Sequence, residues 1–187
     1  MNITISSVRT RLGQIGAWAL AVAVLSVFPA RLATAEDEAD LTKVGQEAPA
    51  FKVTTLDEQP FSLEACRGKV VLINFFATWC GPCMVEMPQL EKEVWQQFKD
   101  KGLVFIAVGR EHTNAELAKF QKEKKFTFPI AGDPKREVFS KYAKQNIPRN
   151  YLINKQGRIA YQSMGYSEDM TSEIVAAIRK ELENESK

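Results

Sequence analysis

The sequence predicts an α/β domain: a mixed central sheet flanked by helices, with a small β-hairpin ahead of it. Three observations point there. Of the 187 residues, 45% are apolar and 26% are charged, a balance that supports a globular core. The run Val70-Val71-Leu72-Ile73-Asn74-Phe75-Phe76 is almost continuously apolar, as a strand buried on both faces must be. Segments of strand and helix character then alternate along the chain.

Taken in order, Glu36 to Lys43 is polar and acidic and reads as a linker. Gly45 to Phe61 carries short apolar alternations around Asp57-Glu58-Gln59-Pro60, which predicts an antiparallel hairpin. Ser62 to Glu64 reads as a helical turn, and Gly68 breaks the chain before the central strand. A helix is expected from Cys80 to about Asp100, with Leu90, Val94 and Phe98 recurring every fourth residue and Pro88 kinking it. Leu103 to Val108 is a second buried strand. Thr113 with Glu116 is a capping-box pattern opening a helix to about Lys125. Phe128 to Ala131 reads as a short strand, and Asp133-Pro134 as the start of a helix to about Ala143. Tyr151 to Ile153, a turn at Asn154 to Gly157, and Arg158 to Met164 form a second hairpin. An amphipathic helix from about Glu168 to Glu183 closes the order, with Ile174, Ile178 and Leu182 on one face.

The first 35 residues have a different character. They hold Arg9, Arg11 and Arg31 and no acidic residue, and an apolar run from Trp18 to Phe28 leads to Ala33-Thr34-Ala35. Positive start, short apolar middle and a small-x-small site spell a secretory signal peptide cleaved after Ala35. An uncleaved membrane anchor is the alternative, although eleven residues fall short of the roughly 20 that a span needs. Residues 1–35 are thus expected as signal peptide, 36–43 as linker and 44–187 as the folded domain, exported to an extracytoplasmic compartment such as the bacterial periplasm. Cleavage removes three of the 25 basic residues and leaves the remainder near balance with 23 acidic ones. No charge excess then points to nucleic acid.

Chemistry concentrates at Trp79-Cys80-Gly81-Pro82-Cys83. A reversible disulfide needs one sulfur that is exposed and partly ionised, and a second close enough to attack the mixed disulfide that the first one forms. A C-x-x-C between a buried strand and a helix supplies both. Cys80 falls at the helix N-terminus, where unpaired N–H groups and the helix dipole favour negative charge. Cys83 falls one turn inward. Pro82 needs no N–H partner in the first turn, and Gly81 suits the same geometry. Three readings compete with a redox pair. They are a structural disulfide, a zinc site of Cys66, Cys80, Cys83 and His112, and a cysteine hydrolase using His112. Cys66 is left over and is expected as a buried or half-buried free thiol. Lys122 to Lys125 is the solvated face of a helix, and Met84 and Met87 are packing or contact residues.

The stretch from Asn74 to Cys83, followed by Glu86 and Pro88, resembles the TlpA/ResA-like branch of the thioredoxin superfamily. Gly45, Ala48-Pro49 and Phe51 resemble that branch's N-terminal extension, and Leu63 with Gly68-Lys69 its approach to the central strand. The resemblance spans about residues 44–183 and implies a thioredoxin-like fold. It implies a cis-proline at Pro148, facing the disulfide, with the Ile147 backbone placed to pair with a client strand. Thioredoxin's buried Asp on the central strand is replaced here by Asn74, which cannot titrate. The branch instead carries an acid three residues after the second cysteine, here Glu86, on the Cys83 face of the helix. Burial would raise its pKa toward the range of a proton acceptor. An exposed Glu86 would serve only the helix dipole. Trp79 is expected as an apolar wall beside Cys80, or as simple packing.

These features predict a thiol–disulfide oxidoreductase that works on protein thiol and disulfide clients, without a dissociable cofactor or metal. It exchanges electrons with a membrane or exported thiol carrier, and touches a membrane itself only if the leader stays attached. The Gly-Pro pair between the cysteines resembles the reducing end of a range from about −270 mV for thioredoxin to about −120 mV for DsbA. Two residues do not fix the potential; it is the family resemblance that favours reduction of protein disulfides, with apocytochrome c before haem attachment among the clients it implies. A thiol peroxidase is a second reading, though Ala77 stands where the peroxidatic pattern has a hydroxyl. A non-enzymatic binding module with a structural disulfide is a third.

Overall fold

A computed structural model describes residues 39–184; the expected signal peptide, with residues 36–38 of the expected linker, lies outside them. Strand β3 (Val70–Phe76) is buried along all seven residues, and the architecture follows from covering it. Its neighbours are β4 (Leu103–Arg110), parallel to it, and β6 (Arg149–Ile153), antiparallel. Outside these lie β5 (Ile130–Asp133), parallel to β4, and β7 (Ile159–Met164), antiparallel to β6. The sheet order is thus β5-β4-β3-β6-β7, mixed as expected. β1 (Lys52–Thr54) and β2 (Pro60–Ser62) form the separate N-terminal hairpin, followed by a 3-10 turn at Glu64–Cys66.

Side chains of a strand alternate between faces, and β3 sorts the core accordingly. Val70, Leu72 and Phe76 meet helices α1 (Gly81–Gln89), α2 (Asn114–Lys124) and α4 (Met170–Glu183) through Met87, Leu117 and Ile174. Val71, Ile73 and Phe75 meet the other layer, where the hairpin and α3 (Phe139–Tyr142) supply Phe51, Phe139 and Tyr142. Each fully buried aliphatic or Phe side chain of this strand contributes about 1.5–3 kcal/mol. Among the described residues, no helix is long and apolar enough to cross a membrane.

Three expectations change. Helix α1 does not simply kink at Pro88. It continues through a widened π turn at Leu90–Trp95 into a last turn at Gln96–Phe98. Pro88 has no N–H to donate to the preceding turn, and the helix absorbs the defect by changing its hydrogen-bond spacing beyond it. The helix expected from Asp133 begins only at Phe139. β5 runs on through Asp133, whose carboxylate accepts the N–H groups of Val138 and Phe139 and so caps α3 from across the turn. The described part of the expected linker is packed on the domain: Ala39 is buried, Lys144 N–H donates to its carbonyl, and Leu41 N–H donates to Tyr142 O.

Thr113 and Glu116 do form the capping box of α2. The turn before it lies directly against β5 at Gly132, where an added Cβ would meet the His112 carbonyl and sit 2.9 Å from the Thr113 carbonyl carbon. Backbone cannot yield there as a flexible side chain would. Gly132→Ala is therefore expected to lower stability by about 1–3 kcal/mol, read as a lower urea midpoint at unchanged slope.

Candidate active site

β3 ends at Phe76, and the chain turns through Ala77 to Trp79 into the N-terminus of α1. Cys80 is the N-cap residue of that helix and Cys83 lies in its first turn. The two sulfurs are joined in a disulfide, with Cα atoms 5.3 Å apart. The Cys83 N–H points at the Cys80 sulfur, 3.2 Å away. The sulfur thus sits at the helix N-terminus, where the N–H groups and the dipole favour negative charge. Cys83 is fully buried, whereas Cys80 keeps a small exposed surface. Both sulfurs thus belong to buried residues, and the exposed sulfur expected at Cys80 is reduced to a 6% opening in this disulfide form.

The Ile147–Pro148 peptide is cis, and the Ile147 carbonyl oxygen lies 3.7 Å from the Cys80 sulfur. A disulfide sulfur carries no proton, so this is a contact in the oxidised form. Trp79, Cys80, Pro82, Arg110, Asn146 and Ile147 line a shallow depression of about 480 Å³ over the disulfide. Trp79 is 60% exposed, with the Arg110 guanidinium 5.4 Å from its ring centre, so it is not core packing. Gly81 and Pro82 are exposed beside it. A larger groove of about 670 Å³ runs between the N-terminal hairpin and the end of β5 and touches none of the disulfide's residues.

Beneath the cysteines, Glu86 is wholly buried. Its carboxylate accepts Nδ2 of Asn74 at 3.0 Å and Nδ2 of Asn150 at 2.6 Å. The sheet register explains the arrangement. Asn74 faces Asn150 across β3–β6, and Asn150 faces Ser163 across β6–β7. One polar row therefore crosses three strands on the face that α1 covers. Burial pushes the Glu86 carboxyl up to about 7, with the two amide hydrogen bonds opposing that shift. The dipole-only role of an exposed Glu86 does not fit this position.

Sequence reasoning missed several neighbours. His112 is neither a ligand nor a base for Cys80. Its Nε2 accepts the Thr78 N–H at 3.0 Å, which puts its own proton on Nδ1 and braces the turn two residues before Cys80. Cys66, by contrast, is the expected half-buried free thiol, placed in the 3-10 turn and raised in pKa by burial. Among the described residues no three potential metal ligands come together, so the Cys66–Cys80–Cys83–His112 zinc set is not assembled. Asn150 has no local signal, since only strand register sets it beside Asn74. Arg149, next to Pro148, is a fully buried cation in a strand, and an arginine within Tyr-Leu-Ile company was its one visible sign.

Comparison with known proteins agrees with this geometry. Residues 44–162 match the model of the AhpC/TSA family. The thiol-disulfide oxidoreductase ResA of Bacillus anthracis is 34% identical over 123 residues, covering 66% of this chain and 70% of the relative. ResA of Oceanobacillus iheyensis is 32% identical over 144 residues, covering 75% and 74%. The solution structure of a candidate protein disulfide isomerase from Bacteroides thetaiotaomicron superposes with a TM-score of 0.75 at 34% identity, covering 78% of this chain and 94% of that one. The fold is thioredoxin-like, and the chain belongs to the AhpC/TSA family as a thiol–disulfide oxidoreductase of the ResA type.

Proposed function

We propose that the protein is an extracytoplasmic reductant of protein disulfides, with Cys80 as nucleophile, Cys83 as resolving thiol and Glu86 as proton acceptor. The observation that carries the reading is the buried Glu86 carboxyl, one helical turn beyond the buried Cys83 and held by two amides. In the reduced enzyme the Cys80 thiolate attacks a client disulfide and expels one client thiolate. Cys83 gives its proton to the Glu86 carboxylate and attacks the Cys80 sulfur of the mixed disulfide. The second client thiolate leaves, and two electrons have passed to the client as the Cys80–Cys83 disulfide closes. The Cys80–Cys83 disulfide is the bond that this sequence would leave behind.

A client strand laid along Ile147 meets Trp79 and the Cys80 sulfur together, which supports protein rather than small-thiol substrates. Export rests on the leader-like residues 1–35, and the periplasm is the compartment that this proposal names. Resemblance to the TlpA/ResA-like branch supports apocytochrome c as one client, and an exported or membrane thiol carrier as the source of electrons. A peroxidase reading lacks its hydroxyl: Ala77 is buried and apolar, and the Thr78 hydroxyl faces His112.

Insulin reduction tests the assignment. The wild type is expected to turn insulin over, Cys80→Ser to abolish turnover, and Cys83→Ser to accumulate a mixed disulfide. Rapid peroxide consumption in place of insulin reduction would overturn it. A Cys80–Cys83 potential near that of thioredoxin, about −270 mV, is expected, whereas one near about −120 mV would mark an oxidant.

Glu86 adds a pH signature. Its folded pKa of about 7 lies above its ordinary 4.5, so the folded state holds the proton more tightly. The associated stability is fully present below about pH 4.5 and is lost as pH rises through about 7, a change on the order of 3 kcal/mol. Denaturant titrations across this window should show the fall in the wild type and not in Glu86→Gln. Resolution by Cys83 should accelerate as pH rises through about 7 in the wild type. In Glu86→Gln it should be flat and roughly 100-fold slower.

A further inference from the structure

The loop that carries Ile147 and Pro148 is held from two directions, and both holds come from the short segment ahead of the folded domain. In the first, residues 39–41 lie antiparallel to residues 142–144. Leu41 N–H donates to Tyr142 O at 3.0 Å, Lys144 N–H donates to Ala39 O at 2.9 Å, and Asp40 bridges Ala143. In the second, the Asp40 carboxylate pairs with Nη1 of Arg149, the residue after Pro148. Gln162 Nε2 donates to the other carboxylate oxygen at 3.1 Å and to Thr42 O at 3.2 Å.

Arg149 passes this hold on to the loop. Its side chain is 1% exposed. Nε donates to the carbonyls of Gln145 and Asn146 at 3.0 and 3.1 Å, and Nη2 approaches the Met164 sulfur at 3.1 Å. The alternation of β6 explains its direction: Asn150 turns toward Glu86 on the α1 face, so Arg149 turns to the opposite face, where Asp40 meets it. A buried guanidinium without a counter-charge is unfavourable. Asp40 is its only acidic partner among the described ion pairs.

We propose that residues 39–42 form a strap that positions the client-docking loop, with Asp40 acting as a positioning residue through Arg149. The inference rests on the proposed use of the Ile147 backbone for docking. Asp40 does not touch the disulfide. It fixes the carbonyls of Gln145 and Asn146 through the guanidinium, and so fixes the approach to Ile147. Protein clients depend on that edge, whereas a small disulfide that reaches Cys80 alone does not.

The test compares the full-length wild type with Asp40→Ala and Asp40→Asn by two readouts. Amide hydrogen exchange reads the loop without any client. Asp40→Ala is expected to speed exchange at residues 145–147 and 149 at least tenfold and to leave residues 70–76 unchanged. Kinetics of the reduced proteins read its use. The KM for insulin should rise about tenfold, while the rate with the small disulfide 5,5′-dithiobis(2-nitrobenzoate) stays within twofold. Asp40→Asn, which keeps the shape and one acceptor, should fall between wild type and Asp40→Ala, and it carries the comparison alone if Asp40→Ala does not fold. Unchanged loop exchange overturns the strap, as does an equal slowing with both substrates. A wild type that cannot reduce insulin overturns the proposed function, and loop exchange still decides the strap.

Discussion

A seven-residue strand buried on both faces and both edges is the constraint from which the active site follows. β3 is lined by strands on each side and by helices or the hairpin above and below, so a polar group in it can find partners only within the protein. It contains one polar side chain, Asn74. The amide nitrogen of Asn74 bonds Glu86 and Asn150, while its oxygen is buried without a partner. A carboxyl brought into that setting is kept from water and becomes readily protonated near neutral pH. The same strand delivers the chain to the start of α1, so the acid and the cysteines are positioned by one element and its continuation.

The two faces of β6 divide the labour around the disulfide. On one face Asn150 bonds Glu86, the proposed proton acceptor; on the other Arg149 bonds the carbonyls of the proposed docking loop. Adjacent residues of one strand thus hold opposite sides of the site. The turn before Cys80 has its own support in His112, whose ring accepts a backbone N–H and is thereby committed to structure. The exposed parts, Trp79 with Gly81 and Pro82, rest on this fixed base.

Features written in local chemistry were legible in the sequence. The apolar run of β3, the capping box at Thr113 and the cysteine pair at a helix start depend on neighbours a few residues apart. Glu86 was legible as a position, since spacing along one helix sets its face. The cis bond at Pro148 was visible only through family resemblance. What the sequence hid depends on distant pairing. Asn150 meets Glu86 across 64 residues and Arg149 meets Asp40 across 109. The acidic stretch at 36–43 looked like a linker because its counter-charge lies far along the chain. Helix α3 was overextended because Asp133 resembled a local cap, whereas its carboxylate reaches five and six residues ahead.

The π turn behind the active site also acts as a phase corrector. Leu90, Val94 and Phe98 recur every four residues and all are buried. In a regular helix of 3.6 residues per turn, a four-residue step drifts about 40° around the axis. A wider turn winds less per residue and cancels part of that drift, so the apolar stripe keeps facing the sheet. Winding the same six residues as an ordinary helix, with none removed, would rotate one end of the helix against the other by on the order of 100°. Either the aromatic anchor at Phe98 would leave the core, or Cys83 and Glu86 would swing away from β3. The helix's odd geometry is what lets both ends dock at once.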